Sequence, residues 1–597
     1  MKKKKKASRP QHEDISKNND ADGLLGLMAS LLNGTQENMS ALLESLYAYQ
    51  DAGKIILDGP KPLSKSLLWQ MQERYYSSQS VSAWNHTVPF LVTNSTFIAE
   101  AYGDLLVAYL RDALPTLNPD APVYIVEMSA GTGRFGFYLL RELQRKLDLW
   151  PTLADLDIRY VMTDITGETI DFWQGHERLK PFVDKGILDF ALFRPEQEKS
   201  LTLVNAEKTL SAEDFQNPML VIANYLFDTV RHDIFRAENG VLSEGRVSLA
   251  LTPEAIATSG FLQSCDIADI KIDDVETHVD YKPLPSTNYY PGESGRERND
   301  ILAAYCKSDN AFNFILPVGA FDCIANLEAI SGGNFAIFTS DKGYTSVQEM
   351  SLRTEHGFAA HGGFSYPVNF DAINRYFRNR GASVFCSDGH AVKLHTACYI
   401  HTPQAREGFF AEEVSSRPKN FRNLGYVFEE KINRNKPASA LLDVLVLTST
   451  NHEQLRKEPS LRRFLGIFQA TYYEPTTFCN AGKAMLEILP KATPPEICEL
   501  LEVINRVWEN DYFFKGECNL PFWISQVLYS LGFYTKSLWF LDEAERRFGA
   551  HEALYYLKGN CHEKLSQPVK AKENYEEALL LKPEFPDARK RLEAIAT

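Results

Sequence analysis

One stretch constrains the fold more than any other. The apolar run Val123-Tyr124-Ile125-Val126 passes directly into Glu127-Met128-Ser129-Ala130-Gly131-Thr132-Gly133-Arg134-Phe135-Gly136, after which Phe135, Leu139, Leu143 and Leu147 recur along one stripe. A continuous apolar run suits a strand buried on both faces. Glycines let the chain reverse tightly and turn bare backbone toward a ligand, and the stripe gives a helix over 135–149 one buried face. The alternation continues, with strands expected over 158–162, 187–192, 219–223 and 334–339, and helices over 170–179 and 370–380, the latter closed by Gly381. Residues 383–385 and 391–394 are expected to form a pair of edge strands. Strands alternating with helices imply parallel crossovers and a doubly wound sheet.

A chain of 597 residues exceeds the roughly 250–300 at which single cores stop growing, so several domains are expected. Residues 1–22 read as a basic and polar disordered tail, and 23–115 as an N-terminal helical segment and cap. Within the cap, a helical pair falls over 24–49, an amphipathic segment over 67–76, a strand over 88–93 and a helix over 97–110. The α/β domain spans 116–403, with an insertion over about 253–310 that is a lid or a plain surface excursion. A linker over 404–435 leads to an all-helical region, 436–597. There Gly559, Ala571, Tyr575, Ala578 and Pro583 stand at the offsets of a tetratricopeptide repeat, and Gly532 and Ala544 fit an earlier copy loosely. The expectation is a short, degenerate helical array that holds a protein partner.

The formal net charge of −15 argues against nucleic acid as a partner, because backbone binding needs a basic face. No run approaches the roughly 18 apolar residues of a membrane span, and no apolar segment follows Lys2–Lys6 as in a secretory leader. A cytoplasmic protein is expected. The nine cysteines are scattered and never form a CxxC pair, which favours reduced thiols and no metal site.

Gly131, Gly133 and Gly136 satisfy GxGxxG, a weak indication of a dinucleotide. The surrounding residues point elsewhere. The acid ending the second strand, Asp164, comes later than the usual ribose-binding acid, and Glu127 before the glycines is ill placed beside a pyrophosphate. S-adenosylmethionine carries no phosphate and has a cationic sulfonium, for which a nearby carboxylate is an attraction. Gly131 and Gly133 are therefore assigned to its methionine portion, Asp164 to its two ribose hydroxyls, and Glu127 to shaping the loop. Ser129, Ala130 and Ile165 complete the expected cofactor-binding set. Phe190 or Phe193 is a candidate to flank the adenine, against the plainer reading of core packing.

The segment 126–133 resembles the first motif of class I methyltransferases, with Ser129 in place of the first glycine. Val221-Ile222-Ala223-Asn224-Tyr225-Leu226-Phe227-Asp228 resembles the fourth-strand motif of the MidA-like family, which contains the mitochondrial complex I assembly methyltransferases and bacterial relatives. Tyr225 stands where that family usually has glutamate. Trp69-Gln70, Tyr75-Tyr76, Thr93-Asn94, Asp341-Lys342-Gly343, His361 and Val368-Asn369-Phe370 extend the resemblance over 67–381. It implies a Rossmann-like methyltransferase fold and methyl transfer from S-adenosylmethionine, here to a protein side chain.

Ligands of open α/β sheets bind beyond the carboxyl ends of the strands, which nominates Asn224, Tyr225 and Asp228 as catalytic. Asn224 would hold the acceptor or touch the cofactor, and Tyr225 and Asp228 would orient the acceptor or take its proton; a capped helix start after strand four is the plain alternative. His232, Asp233, His356 and His361 are secondary candidates. Two rival functions remain. A cofactor-binding assembly protein without catalysis is suggested by Ser129 and Tyr225, and an NAD-dependent oxidoreductase by the three glycines.

Overall fold

The computed structural model describes residues 55–84, 94–252, 255, 270–352, 357–386, 394–402 and 460–596. The expected tail, the helical pair over 24–49, the strand over 88–93 and the linker lie outside them. The chain divides into two compact units, the first drawn from 1–78, 231–318 and 351–365 and the second from the remainder.

The first unit is built on a five-stranded antiparallel sheet. Asp233–Glu238 and Val241–Leu251 form a hairpin through Asn239 and Gly240, whose φ angles of 51° and 76° are those of a type I′ turn. Ile55–Pro62 and Val275–Pro283 both pair with Val241–Leu251, while Phe312–Leu316 pairs with Asp233–Glu238. The described part of the expected insertion thus holds a strand and the helix Arg296–Cys306.

The second unit contains a seven-stranded sheet of β1 (Val123–Glu127), β2 (Ile158–Asp164), β3 (Leu188–Leu192), β4 (Met219–Ile222), β5 (Phe335–Asp341), β6 (Ser383–Cys386) and β7 (His395–His401). Its order is β6-β7-β5-β4-β1-β2-β3. The first five strands run parallel, and β7 runs antiparallel to β5 and β6. The order reverses between β1 and β4, the switch point where open α/β sheets leave a crevice. Residues 391–393 of the second expected edge strand lie outside the described residues, and the strand that pairs with Ser383–Cys386 is His395–His401, which is internal to the sheet. Its mixed His-Thr-Ala-Cys-Tyr-Ile-His sequence has no aliphatic run to announce burial on both faces.

Helices α1 (Thr96–Ala113) and α2 (Arg134–Leu147) pack Ile98, Leu106, Phe135 and Leu139 with Ile125 of β1 and Met162 of β2 in one core. The helix expected over 170–179 begins earlier, as α3 (Gly167–Gly175), because Thr166 caps it by accepting from the Thr169 amide. Asn369 caps α4 (Phe370–Asn379) in the same way.

The C-terminal region is helical, with α5 (Leu461–Ala470), α6 (Pro475–Ile488), α7 (Pro494–Glu509), α8 (Leu520–Ser530), α9 (Tyr534–Phe548), α10 (Glu552–Lys564), α11 (Pro568–Leu581) and α12 (Pro586–Ala596). Between α10 and α11, Ala571, Tyr575 and Ala578 are buried, and the Tyr575 hydroxyl donates to Asn560 at 2.7 Å. A Cβ on Gly559 would fall inside van der Waals contact of the Tyr575 ring. Gly559→Ala is therefore expected to destabilise this pair by about 1–3 kcal/mol through overpacking, although alanine is the better helix former. An unchanged urea midpoint for the C-terminal transition would contradict this.

Cys479 and Cys518 form a disulfide with a Cα–Cα distance of 6.4 Å, which corrects the expectation of reduced thiols throughout. Packing of α6 against the chain ahead of α8 brings together two residues that share no sequence motif. Among the described residues, no helix is long and apolar enough to cross a membrane.

Candidate functional site

The loop after β1 is fastened on both sides. The Met128 amide donates to Ile222 O of β4 and the Ala130 amide to Thr163 O of β2, each at 2.8 Å. Ser129, Gly131 and Gly133 take φ angles of 51°, 55° and 76°. The serine at the first of these positions thus adopts a left-handed conformation that glycine adopts more easily. Trp173 Nε1 of α3 donates to Gly131 O at 3.0 Å. Gly133 stands at the start of α2, and a Cβ there would come within 2.5 Å of Met162 Cε and 2.8 Å of Trp173 Nε1.

Asp164, at the carboxyl end of β2, meets this loop. Its Oδ2 accepts from the Gly131 amide at 3.3 Å, and its Oδ1 from the Ile165 and Thr166 amides at 2.8 and 3.3 Å. Burial pushes its carboxyl up to about 6, against the opposing pull of the three amides. A carboxylate offers about four lone-pair sites, so acceptance from a pair of hydroxyls remains open. Gly131, Asp164 and Ile165 are thus joined by direct hydrogen bonds.

Glu127 is buried behind the loop, where Tyr160 donates to its Oε2 at 3.0 Å. A Cβ on Gly136 would stand 2.6 Å from the same oxygen. Burial raises its carboxyl to about 8, with Tyr160 pulling the other way. The unfolded chain ionises this group near 4.5 while the folded chain keeps its proton. Its contribution to stability is therefore full below pH 4.5 and is lost as pH rises toward 8, by an amount on the order of a few kcal/mol. Glu127→Gln is expected to remove that loss, so the variant should gain stability relative to wild type between pH 5 and pH 8. Urea midpoints that shift equally with pH in both proteins would refute this.

Beyond β4, Asn224 Oδ1 accepts from the Tyr102 hydroxyl at 2.8 Å and from the Ser340 amide at 3.0 Å. These two donors fix which end of the amide is oxygen. The opposite end, Nδ2, is buried and has no hydrogen-bond partner among the described residues. Tyr225 has a φ of 48°, donates its amide to Ser340 O at 3.0 Å, and has Lys342 Nζ 5.5 Å from its ring centroid.

The Asp228 amide donates to Asp341 Oδ2 at 3.1 Å and the Lys342 amide to Asp341 Oδ1 at 2.7 Å. Burial first, and the Asp228 charge second, hold the Asp341 carboxyl well above the usual carboxylate range. No helix starts at Asp228; a turn closed by the Thr229 amide on Leu226 O takes its place. Asn224, Tyr225 and Asp228 therefore share one neighbourhood with Ser340, Asp341 and Tyr102, of which the sequence singles out only Asp341, through the resemblance of Asp341-Lys342-Gly343, and none as a site residue. For Asp341 the available signal was an acid at the end of a strand; for Tyr102, inside α1, there was none.

Other candidates lie elsewhere. Phe190 and Phe193 are 0% and 1% exposed, with Phe190 packed 5.7 Å from Trp173 between ring centroids, so neither is presented to a ligand. His232 and Asp233 belong to the first unit, where Asp233 accepts from the Ser64 amide and the Tyr290 hydroxyl. His356 and the side chain of His361 are outside the described residues. Among the described residues, no group of three or more His, Cys, Asp or Glu is arranged to hold a metal.

No family model and no curated protein matches the chain. Among solved structures, an uncharacterised protein of Burkholderia thailandensis is 12% identical, with a TM-score of 0.36 over 64% of this chain and 94% of its own. A member of the same superfamily from that organism, crystallised with S-adenosyl-homocysteine, is 13% identical, with a TM-score of 0.35 over 62% of this chain and 80% of its own. A thermophilic TPR protein of Thermus thermophilus is 16% identical, with a TM-score of 0.22 over 31% of this chain and 94% of its own. Likenesses of this size assign no function.

Proposed function

We propose that the second unit binds S-adenosylmethionine and transfers its methyl group to a protein side chain, and that the helical region, read as a short tetratricopeptide-like array, recruits the protein partner. The observation that carries this reading is the hydrogen bond from the Gly131 amide to Asp164 across the carboxyl ends of β1 and β2, with the switch point on the other side of β1. It sets an acid, which we assign to the ribose hydroxyls, against a turn of bare main chain. The buried Nδ2 of Asn224, without a partner among the described residues, adds a donor that suits a ligand.

When bound, the cofactor supplies a methyl group on a sulfonium that is already an excellent leaving group, so the protein's work is positioning and exclusion of water. Asp164 accepts from the ribose hydroxyls, Ile165 adjoins it, and the main chain of Ser129, Ala130, Gly131 and Gly133 borders the methionine portion. Asn224, held by Tyr102 and Ser340, directs its amide donor at the acceptor or the cofactor. Tyr225 orients the acceptor. Burial and the neighbouring Asp228 charge raise the Asp341 carboxyl, and Asp228 is assigned to receive the proton that the acceptor gives up.

Methyl-labelled S-adenosylmethionine incubated with the protein and cell extract tests the proposal. Label is expected in a protein band and is expected to be lost with Asp164→Ala. Cofactor binding with no label transferred would favour an assembly role without catalysis.

A further inference from the structure

The glycine loop is held from an unexpected side. The chain between α7 and α8 lies against Thr132 and Arg134, the residues that flank Gly133. Tyr512 is buried, and its hydroxyl donates to Thr132 O at 2.7 Å. Its ring stacks on His176, just beyond α3, with centroids 3.9 Å apart and planes 10° from parallel. Glu517 pairs with the guanidinium of Arg134, the first residue of α2, which is only 2% exposed. Arg178 donates to Asp511 O at 2.7 Å and to Trp508 O at 2.6 Å. Cys518, beside Glu517, is tied covalently to Cys479 in α6.

Simple docking of the helices would not require these contacts. The same region already anchors to α1, where Glu474 accepts from the Thr96 amide at 2.9 Å and Thr471 O accepts from the Thr96 hydroxyl at 2.7 Å. Tyr512 and Glu517 instead direct one hydroxyl and one carboxylate to the two sides of the left-handed turn. A buried arginine is tolerated when its charge is paired, and Glu517 supplies that pair.

We infer that Tyr512 and Glu517 are positioning residues of the cofactor site, holding Thr132 and Arg134 so that the turn at Gly131 and Gly133 keeps its ligand-receiving form. The inference rests on the reading of that turn as an S-adenosylmethionine site. It makes the helical region a working part of the site. A partner that displaces the segment 511–517 would then lower cofactor affinity, and by reciprocity the cofactor would oppose that displacement.

The test is calorimetric titration of the full-length protein with S-adenosylhomocysteine, comparing wild type, Tyr512→Phe, Glu517→Gln and Tyr575→Phe. Tyr512→Phe keeps the ring and loses one hydrogen bond, so a weakening of about fivefold is expected with little change in melting temperature. Glu517→Gln is expected to weaken binding further. Tyr575→Phe, which loses a buried hydroxyl contact between α10 and α11, is expected to bind as wild type does. Amide exchange across 129–136 in the free protein reads the loop directly and should quicken in Tyr512→Phe alone of the two tyrosine variants. Wild-type binding retained in Tyr512→Phe and Glu517→Gln, with unchanged exchange, would overturn the clamp while leaving the cofactor reading intact. Failure of the wild type to bind would overturn both.

Discussion

Gly133→Val is expected to abolish S-adenosylhomocysteine binding and to destabilise the second unit by about 3 kcal/mol. Two costs combine. A left-handed backbone penalises an L side chain by roughly 1–2 kcal/mol, and the φ of Gly133 is 76°. Overpacking adds roughly 1–3 kcal/mol, because the first added carbon already meets Met162 Cε and Trp173 Nε1 inside van der Waals distance. Trp173 yields only by giving up its bond to Gly131 O, so the strain passes into the turn itself. Urea unfolding and titration of the same preparation check both halves, and a variant that binds normally would remove the loop from the site.

Asp164→Ala is expected to weaken S-adenosylhomocysteine binding about 100-fold. Two hydrogen bonds from ribose hydroxyls to a charged acceptor are lost, at roughly 1.5–3 kcal/mol each in favourable cases, together with the brace on Gly131. A pH signature accompanies the effect. The carboxyl of the free protein titrates near 6, and the ligand favours the ionised form, so wild-type affinity should be level above pH 7 and fall as pH drops below 6. Asp164→Ala should show no such fall. Affinity in the wild type that is flat from pH 5 to pH 8 would place the ribose elsewhere.

That Gly131 and Asp164 come together was legible in the sequence because the information is local. Gly131, Gly133 and Asp164 lie at the ends of adjacent parallel strands, and each follows an apolar run that announces its strand. The remainder of the site comes from distant chain. Tyr102 is 122 residues from Asn224 and 238 from Ser340, and only the packing of α1 brings its hydroxyl to them. The raised carboxyls of Glu127 and Asp341 follow from burial, a property of the assembled sheet that no spacing encodes.

The fold divides along the same line. Strands with continuous aliphatic runs, β1 and β4, were readable, while β7 and the strands of the first unit were not. Val241–Leu251 interleaves Ser, Glu, Gly and Arg with its apolar residues. Its hairpin nonetheless left a local sign, Asn239-Gly240, the residue pair that type I′ turns prefer. The Cys479–Cys518 bridge joins residues 39 apart without a motif, so only the helical packing reveals it.

Calorimetric titration of the wild-type protein with S-adenosylhomocysteine and with NAD is the decisive measurement for the glycine loop. One-to-one binding of S-adenosylhomocysteine and no heat with NAD is the predicted result. Binding of NAD, or no binding of S-adenosylhomocysteine, would contradict the assignment.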